Sequence, residues 1–246
     1  MRYAIISDIH SNYESFKTFL NILPSISVEK IICLGDIVGY NPNPNECIEV
    51  LSKLKYFDGI RGNHDRALVE KNYNDFSYEA NFAIKWAIKN IKPDNLIFLK
   101  NLGKGPKLID NKFMICHGSI NDEDQYITSI FQTHEEFRWL FKNNIHLCFF
   151  GHTHYQKIYQ LNTKKEAIFE IGDKEIQIEK NNFYLINPGS LGQPRDGDRR
   201  ASFAIFDSDL MSIKIIRYDY PYEITKQKIT DLNFPKFLAE RLESGI

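Results

Sequence analysis

Much that would mark a specialised protein is missing from this sequence. Its 246 residues contain no apolar run near the ~20 residues that span a bilayer. No leader is expected in the opening residues: RYAIIS (2–7) is apolar enough for a strand, but Asp8 and His10 arrive too early for a cleavable h-region. Cysteine is scarce. Cys33, Cys47, Cys116 and Cys148 form no CxxC pair, and three sit inside apolar runs, which suits small buried hydrophobes rather than a disulfide framework. An excess of one charge is also absent: 31 Lys+Arg face 32 Asp+Glu, a net charge of −1. Proteins that coat nucleic acid or anionic membrane need strong positive fields, so both classes are disfavoured. Repeats, low-complexity tracts and long linkers are lacking too. What remains is a soluble, cytoplasmic globular protein of one α/β domain, long enough to bury a full core.

The first half alternates buried-strand runs with helical patterns. YAII (3–6) precedes an amphipathic stretch carrying Phe16, Phe19, Leu20 and Leu23. IICL (31–34) precedes another from about Asn45 to Leu54. Such alternation predicts βαβ units and parallel strands. Residues 66–102 read as a helical insertion, and FMIC (113–116) and LCFF (147–150) as strands. Between them Thr133 and Glu136 form a capping box ahead of a helix. After His154 the period becomes two, with a β-hairpin expected at about 165–180 around Gly172-Asp173, an edge where a second subunit would pair in a homo-oligomer. Strands follow at 182–187, 201–207 and 210–218, and a helical tail covers about 222–242. The expected sheet is mixed, parallel early and antiparallel late.

Five short motifs end or follow the apolar runs: Asp8-Ile9-His10, Gly35-Asp36, Gly62-Asn63-His64-Asp65, His117-Gly118 and Gly151-His152-Thr153-His154. Five of the seven histidines lie in them. In open α/β sheets, ligands bind at the carboxyl ends of strands. Asp, His and Asn are the O and N donors that hold Mn²⁺, Fe or Zn²⁺ without thiolate. On an extended strand end, residues i and i+2 face one side, so Asp8 and His10 would grip one ion, and the same spacing relates His152 to His154. Gly35 lets the backbone approach closely and frees Asp36 to bridge two ions.

This ordered set resembles the calcineurin-like metallophosphoesterase superfamily, particularly its small prokaryotic phosphatase and phosphodiesterase branch, which shares GDIVGYNPNPNE (35–46) and NPGSLGQPRDGD (187–198). The resemblance implies a four-layer αββα sandwich with mixed sheets and two divalent metal ions, Mn²⁺ first, with Fe, Zn²⁺ or Ni²⁺ also open. It assigns Asp8, His10, Asp36 and His154 to one ion and Asp36, Asn63, His117 and His152 to the other. Two such ions ~3.5–4 Å apart activate a bridging water and clamp phosphoryl oxygens. His64, beside Asn63, is then the general acid for the leaving oxygen.

The sequence departs from the protein-phosphatase branch, whose motif continues GDxxDRG. Here Gly39 and Tyr40 stand where an orienting Asp and a phosphate-binding Arg would be. Arg195 is the candidate replacement cation; the bland alternative is a surface loop in which Arg195, Arg199 and Arg200 pair with Asp196 and Asp198. Tyr40 is a candidate for substrate stacking. Asn12 either touches substrate or caps a helix. Phe76, Tyr78, Phe82 and Trp86 form either a nucleobase platform or, more commonly, a packed helix face. Asp65 is expected to support the motif backbone, and His134 and His146 to be structural. The expected activity is hydrolysis of phosphomonoesters or phosphodiesters in small, nucleotide-like substrates. The alternatives are a dinucleoside polyphosphate hydrolase or protein phosphatase, then a nuclease or a non-catalytic scaffold.

Overall fold

A computed structural model describes residues 1–246. The chain forms two six-stranded sheets. The first contains β1 (Arg2–Ile6), β2 (Lys30–Cys33), β3 (Phe57–Gly59), β9 (Glu175–Gln177), β11 (Ala201–Asp207) and β12 (Ser212–Tyr218), in the order β3-β2-β1-β11-β12-β9. The second contains β4 (Lys107–Ile109), β5 (Phe113–Ile115), β6 (Leu147–Phe149), β7 (Gln156–Asn162), β8 (Ala167–Glu170) and β10 (Phe183–Pro188), in the order β4-β5-β6-β10-β7-β8. β1, β2 and β3 are parallel, as are β5, β6 and β10, whereas β11 and β12 join antiparallel.

The four layers follow from strand alternation, because successive side chains take opposite faces. In β1, Tyr3 and Ile5 point between the sheets and Ala4 and Ile6 towards helices. In β6, Leu147 and Phe149 point between the sheets, Cys148 towards helix. The inter-sheet layer is the driest: Tyr3, Phe113, Phe149 and Phe206 form an edge-on and stacked aromatic group. Each such buried side chain contributes about 1.5–3 kcal/mol. Outside the first sheet lie α1 (Tyr13–Ile22), α2 (Pro44–Leu51) and α5 (Pro93–Asn101), contributing Phe16, Phe19, Cys47, Leu51 and Leu99. Outside the second lies α6 (His134–Lys142), through Phe137 and Leu140. The αββα sandwich is therefore realised. All four cysteines are buried and free.

Within residues 63–101 the chain forms α3 (Asn63–Glu70), α4 (Tyr78–Asn90) and α5. They link β3 to β4, one edge strand of each sheet. The expected hairpin at 165–180 is not formed. β8 pairs with β7 in one sheet and β9 with β12 in the other, so residues 171–174 cross between sheets. Period-two alternation reports which face is buried, not which neighbour supplies hydrogen bonds; Ile171 and Ile176 both pack into the inter-sheet core. The anticipated edge for a second subunit therefore disappears as a hairpin. The Thr133–Glu136 capping box is also replaced. Ser129 and Gln132 form one at the preceding 3-10 turn, while Glu136 is buried and accepts from the Ile120 N–H at 2.9 Å. The tail divides into α7 (Tyr222–Asp231) and α8 (Lys236–Ser244), separated by Asn233 with φ 56° and Pro235, which cannot continue a helix.

Candidate metal centre

Every motif lands where a strand hands over to a loop. Asp8 and His10 follow β1, Asp36 follows β2, Asn63 and His64 open α3 after β3, His117 follows β5, and His152 and His154 follow β6. The two sheets present these ends together, and the side chains gather in three overlapping groups: Asp8, His10 and His154; Asp36, His117 and His152; and His10, Asp36 and His64. All are buried, Asp8 and His10 fully.

The local backbone is not the extended strand end that the spacing suggested. Asp8, His10, His152 and His154 have φ of 54°, 46°, 66° and 61°. This left-handed region costs non-glycine residues on the order of 1 kcal/mol or more each, and persists only where the surroundings enforce it. Asp8 and His10 still share a group, but His152 and His154 divide between the two. Asp36 has φ 55° after Gly35 at 105°. A Cβ on Gly62 would collide with Asp36 Oδ1 and lie 2.7 Å from His117 Cε1, so this glycine is the space the centre occupies.

Hydrogen bonds fix the donor atoms. His10 Nδ1 donates to Val38 O (2.9 Å), His117 Nδ1 to Leu34 O (2.9 Å) and His154 Nδ1 to Gln193 O (2.6 Å). His152 instead uses Nε2, towards Asp124 O at 3.1 Å. A carbonyl only accepts, so each ring carries its hydrogen there and turns its other nitrogen inward, the usual arrangement of a ligating histidine. Both carboxylates are split in the same way. Asp8 Oδ2 accepts from His152 N–H at 3.1 Å, while Oδ1 faces His154 Nε2 at 3.3 Å and His10 Nε2 at 3.7 Å. Asp36 Oδ1 accepts from His64 N–H at 2.8 Å, while Oδ2 faces His117 Nε2 at 3.3 Å and His10 Nε2 at 3.6 Å. Asp36 Oδ2 thus looks into both clusters, as a bridging ligand must.

These groups fit a pair of cations. Burial holds His10 well below its usual pKa and lowers His154 as well, so both rings are neutral. Their bare Nε2 atoms nevertheless face each other at 3.1 Å, a repulsion that only positive charge relieves. Asp8 Oδ1 is buried without a hydrogen-bond partner, which is costly unless a cation meets it. At His117, burial opposes protonation, yet the Asp36 carboxylate outweighs it and holds the imidazolium up to about 10. Asn63 Oδ1 adds a neutral oxygen 3.1 Å from His117 Nε2.

His64 lies inside this site without being locked by a hydrogen bond, its Nδ1 having no partner. Burial lowers its pKa to about 4. Its ring is held by packing, with His10, Tyr40 and Phe76 at centroid distances of 4.7, 4.6 and 4.8 Å. Gly39, at φ 103°, lies so close that a Cβ would collide with His64 Nδ1. Here glycine occupies the side on which the protein-phosphatase branch is expected to place an orienting Asp. Asp65 supports the frame as expected, accepting from Ile37, Val38 and Gly62 N–H at 2.9, 3.1 and 3.0 Å.

A cavity of about 450 Å³ adjoins the centre, lined by Asn63, His64, His152, Tyr40, Tyr126 and Arg195 among others. Arg195 is separate from the surface pairs: Asp198 binds Arg200 and Arg217, and Asp196 binds Arg217. Its guanidinium lies 5.4 Å from the Tyr40 ring centroid. Asn12 is not available to substrate. Its Oδ1 caps α1 by accepting from Ser15 N–H, and its amide donates to Gly192 O and Tyr220 OH. A buried amide already engaged in this way has no group left for a ligand. The aromatic stretch splits. Phe76 packs on His64, Tyr78 is exposed, and Phe82 and Trp86 pack on Phe234, Trp86 also reaching the core under the first sheet. His134 and His146 bind main-chain carbonyls outside the centre. Two lining residues had no sequence signal. Tyr126 stacks 3.9 Å from His152, and Arg241 arrives from α8.

The sequence profile described as Calcineurin-like phosphoesterase superfamily domain matches residues 1–210. The chain belongs to the calcineurin-like phosphoesterase superfamily. It is 36% identical over 252 residues to an uncharacterized protein of Methanocaldococcus jannaschii, covering 98% of this chain and 97% of that one. The crystal structure of a metallophosphoesterase from Sphaerobacter thermophilus superposes with a TM-score of 0.83 at 32% identity, covering 100% of this chain and 99% of that one. A hypothetical protein from Pyrococcus horikoshii OT3 shares the fold, with a TM-score of 0.81 at 18% identity over 100% and 98% of the two chains. No helix is long and apolar enough to cross a membrane.

Proposed function

We propose that this protein is a metal-dependent phosphoesterase acting on small phosphorylated, nucleotide-like substrates. Asp8, His10, Asp36 and His154 would hold one divalent ion, and Asp36, Asn63, His117 and His152 the second. When bound, such a pair supplies Lewis acidity and an activated water. One observation carries the reading. Each buried aspartate has one oxygen pinned by a main-chain N–H and turns the other towards two inward-facing imidazole nitrogens.

The remaining steps belong to the chain's own groups. Arg195, half-buried beside the Tyr40 ring, would take non-bridging phosphate oxygens. Tyr40, Phe76 and His10 would keep the His64 ring aimed, so that the ring, taking up a proton from solvent as the phosphate anion enters beside it, passes that proton from Nε2 to the leaving oxygen.

The direct test is hydrolysis of p-nitrophenyl phosphate and bis-p-nitrophenyl phosphate by protein loaded with Mn²⁺. Turnover abolished by EDTA and by Asp36→Asn is expected; EDTA-insensitive turnover, or none with any of Mn²⁺, Fe²⁺, Zn²⁺ or Ni²⁺, overturns it. The ratio of the two rates reports the monoester or diester preference.

A further inference from the structure

Of nine arginines, six pair with carboxylates: Arg2, Arg61, Arg66, Arg138, Arg200 and Arg217. Two of the other three converge on one ring. Arg195 and Arg241 lie 5.4 and 5.7 Å from the Tyr40 centroid, and both line the cavity beside the metal centre. Arg195 donates to Gln193 Oε1 at 3.0 Å and buries an unpartnered Nε. Arg241 donates through Nε to the O of Ile246, the last residue of the sequence, at 2.6 Å and lies over Phe237; no Asp or Glu side chain bonds its terminal nitrogens. Burial, then the charge of Arg195, pulls the Arg241 pKa down to about 10. Glu79 and Asp75 are the acids nearby; neither pairs with it, and Asp75 stands on the exposed rim. Arg66, also in the wall, is committed to Glu123 and Asp124.

Two half-buried like charges side by side, neither bonded to an Asp or Glu side chain, cost stability unless an anion joins them. They are also ordered outward. Arg195 acts on His64 and His154 inside the centre, whereas the neighbours of Arg241 are Arg195, Tyr40, Glu79 and Tyr126. On that ordering a lone phosphate at the centre would engage Arg195 and leave Arg241 idle. We infer that Arg241 is a specificity residue that binds a second phosphate joined to the scissile one, so the cavity selects nucleoside diphosphates over monophosphates. This rests on the phosphoesterase reading for the position of the first phosphate. Tyr40 carries both guanidiniums on one rigid ring, and its packing on His64 sets the two phosphate subsites relative to the proton donor. A cavity of about 450 Å³ falls in the ~300–1,000 Å³ range of small-molecule sites.

The test uses the Mn²⁺-loaded protein with AMP and with adenosine 5′-(α,β-methylene)diphosphate, which binds without being cleaved. Calorimetry should show the diphosphate binding about 10- to 100-fold tighter than AMP, the scale of one or two charge-assisted hydrogen bonds. Arg241→Gln should collapse that ratio to within about threefold, and Arg241→Lys, which keeps charge but loses the fork, should fall between. In turnover, Arg241→Gln should lower kcat/KM for ADP at least about tenfold more than for p-nitrophenyl phosphate, mostly through KM. Equal affinities in the wild type, or a ratio untouched in folded Arg241→Gln and Arg241→Lys, overturns the assignment. If neither p-nitrophenyl phosphate nor bis-p-nitrophenyl phosphate is hydrolysed with any of the four metals, the phosphoesterase reading fails, and the calorimetric ratio still judges Arg241.

Discussion

The two halves of the candidate metal centre share aspartate and histidine donors, one half adding Asn63, but meet solvent differently. Asp8, His10 and His154 form a sealed half, with no member on the cavity wall. Asn63 and His152 belong to the other half and do line the cavity, beside Tyr126 and Arg195. Sealing favours retention, because every donor is fixed and no water replaces it; openness favours exchange of ligands at the facing ion. One half is thereby suited to keep its cation and the other to present one to substrate.

Breaking the element common to both should have the largest effect. Asp36→Asn is expected to lower kcat by about 10²–10³-fold or more and to reduce bound metal below one ion per chain by inductively coupled plasma mass spectrometry. Retention of two ions would show that Asp36 does not bridge. Removing one ligand from each half sharpens the contrast. His10→Ala should weaken metal affinity by about 100-fold and His152→Ala by about tenfold, since only the open site lets water substitute. Competition with a fluorescent chelator measures both, and equal losses would erase the distinction.

Gly39→Ala leaves the ligands alone and disturbs only the proton donor. Displacement of His64 should cost about 10²-fold in kcat with metal content unchanged, and a normal rate would remove the packing account of His64. Smallest is Asn12→Ala, which lies outside both halves. It should cost about 1–2 kcal/mol of stability through the lost cap and show as a lowered urea midpoint, with activity per folded molecule preserved. A selective rise in KM would return Asn12 to the substrate site.

The centre was legible because its chemistry is written in short motifs at strand ends, and strand ends are visible as apolar runs. The reason offered for its geometry was not. Left-handed φ at Asp8, His10, His152 and His154 is imposed by packing, and no residue type at those positions announces it. Arg241 was illegible for a related cause. α8 reaches the cavity only because Phe234, Leu238 and Leu242 pack with Tyr40, Ala80 and Ala83, a contact between distant segments. The absent hairpin at 165–180 shows the same limit in the sheets, where alternation specified burial but left partnership open.

The carbonyl anchors of the four histidines have one further consequence. Val38, Leu34, Gln193 and Asp124 offer main-chain oxygens where many metal proteins place carboxylates, so no carboxylate backs these four rings. A loaded centre would then have only Asp8 and Asp36 against two doubly charged ions, leaving a surplus that inorganic phosphate is well suited to neutralise. Released orthophosphate, and tetrahedral mimics such as vanadate or tungstate, should accordingly linger and act as competitive inhibitors.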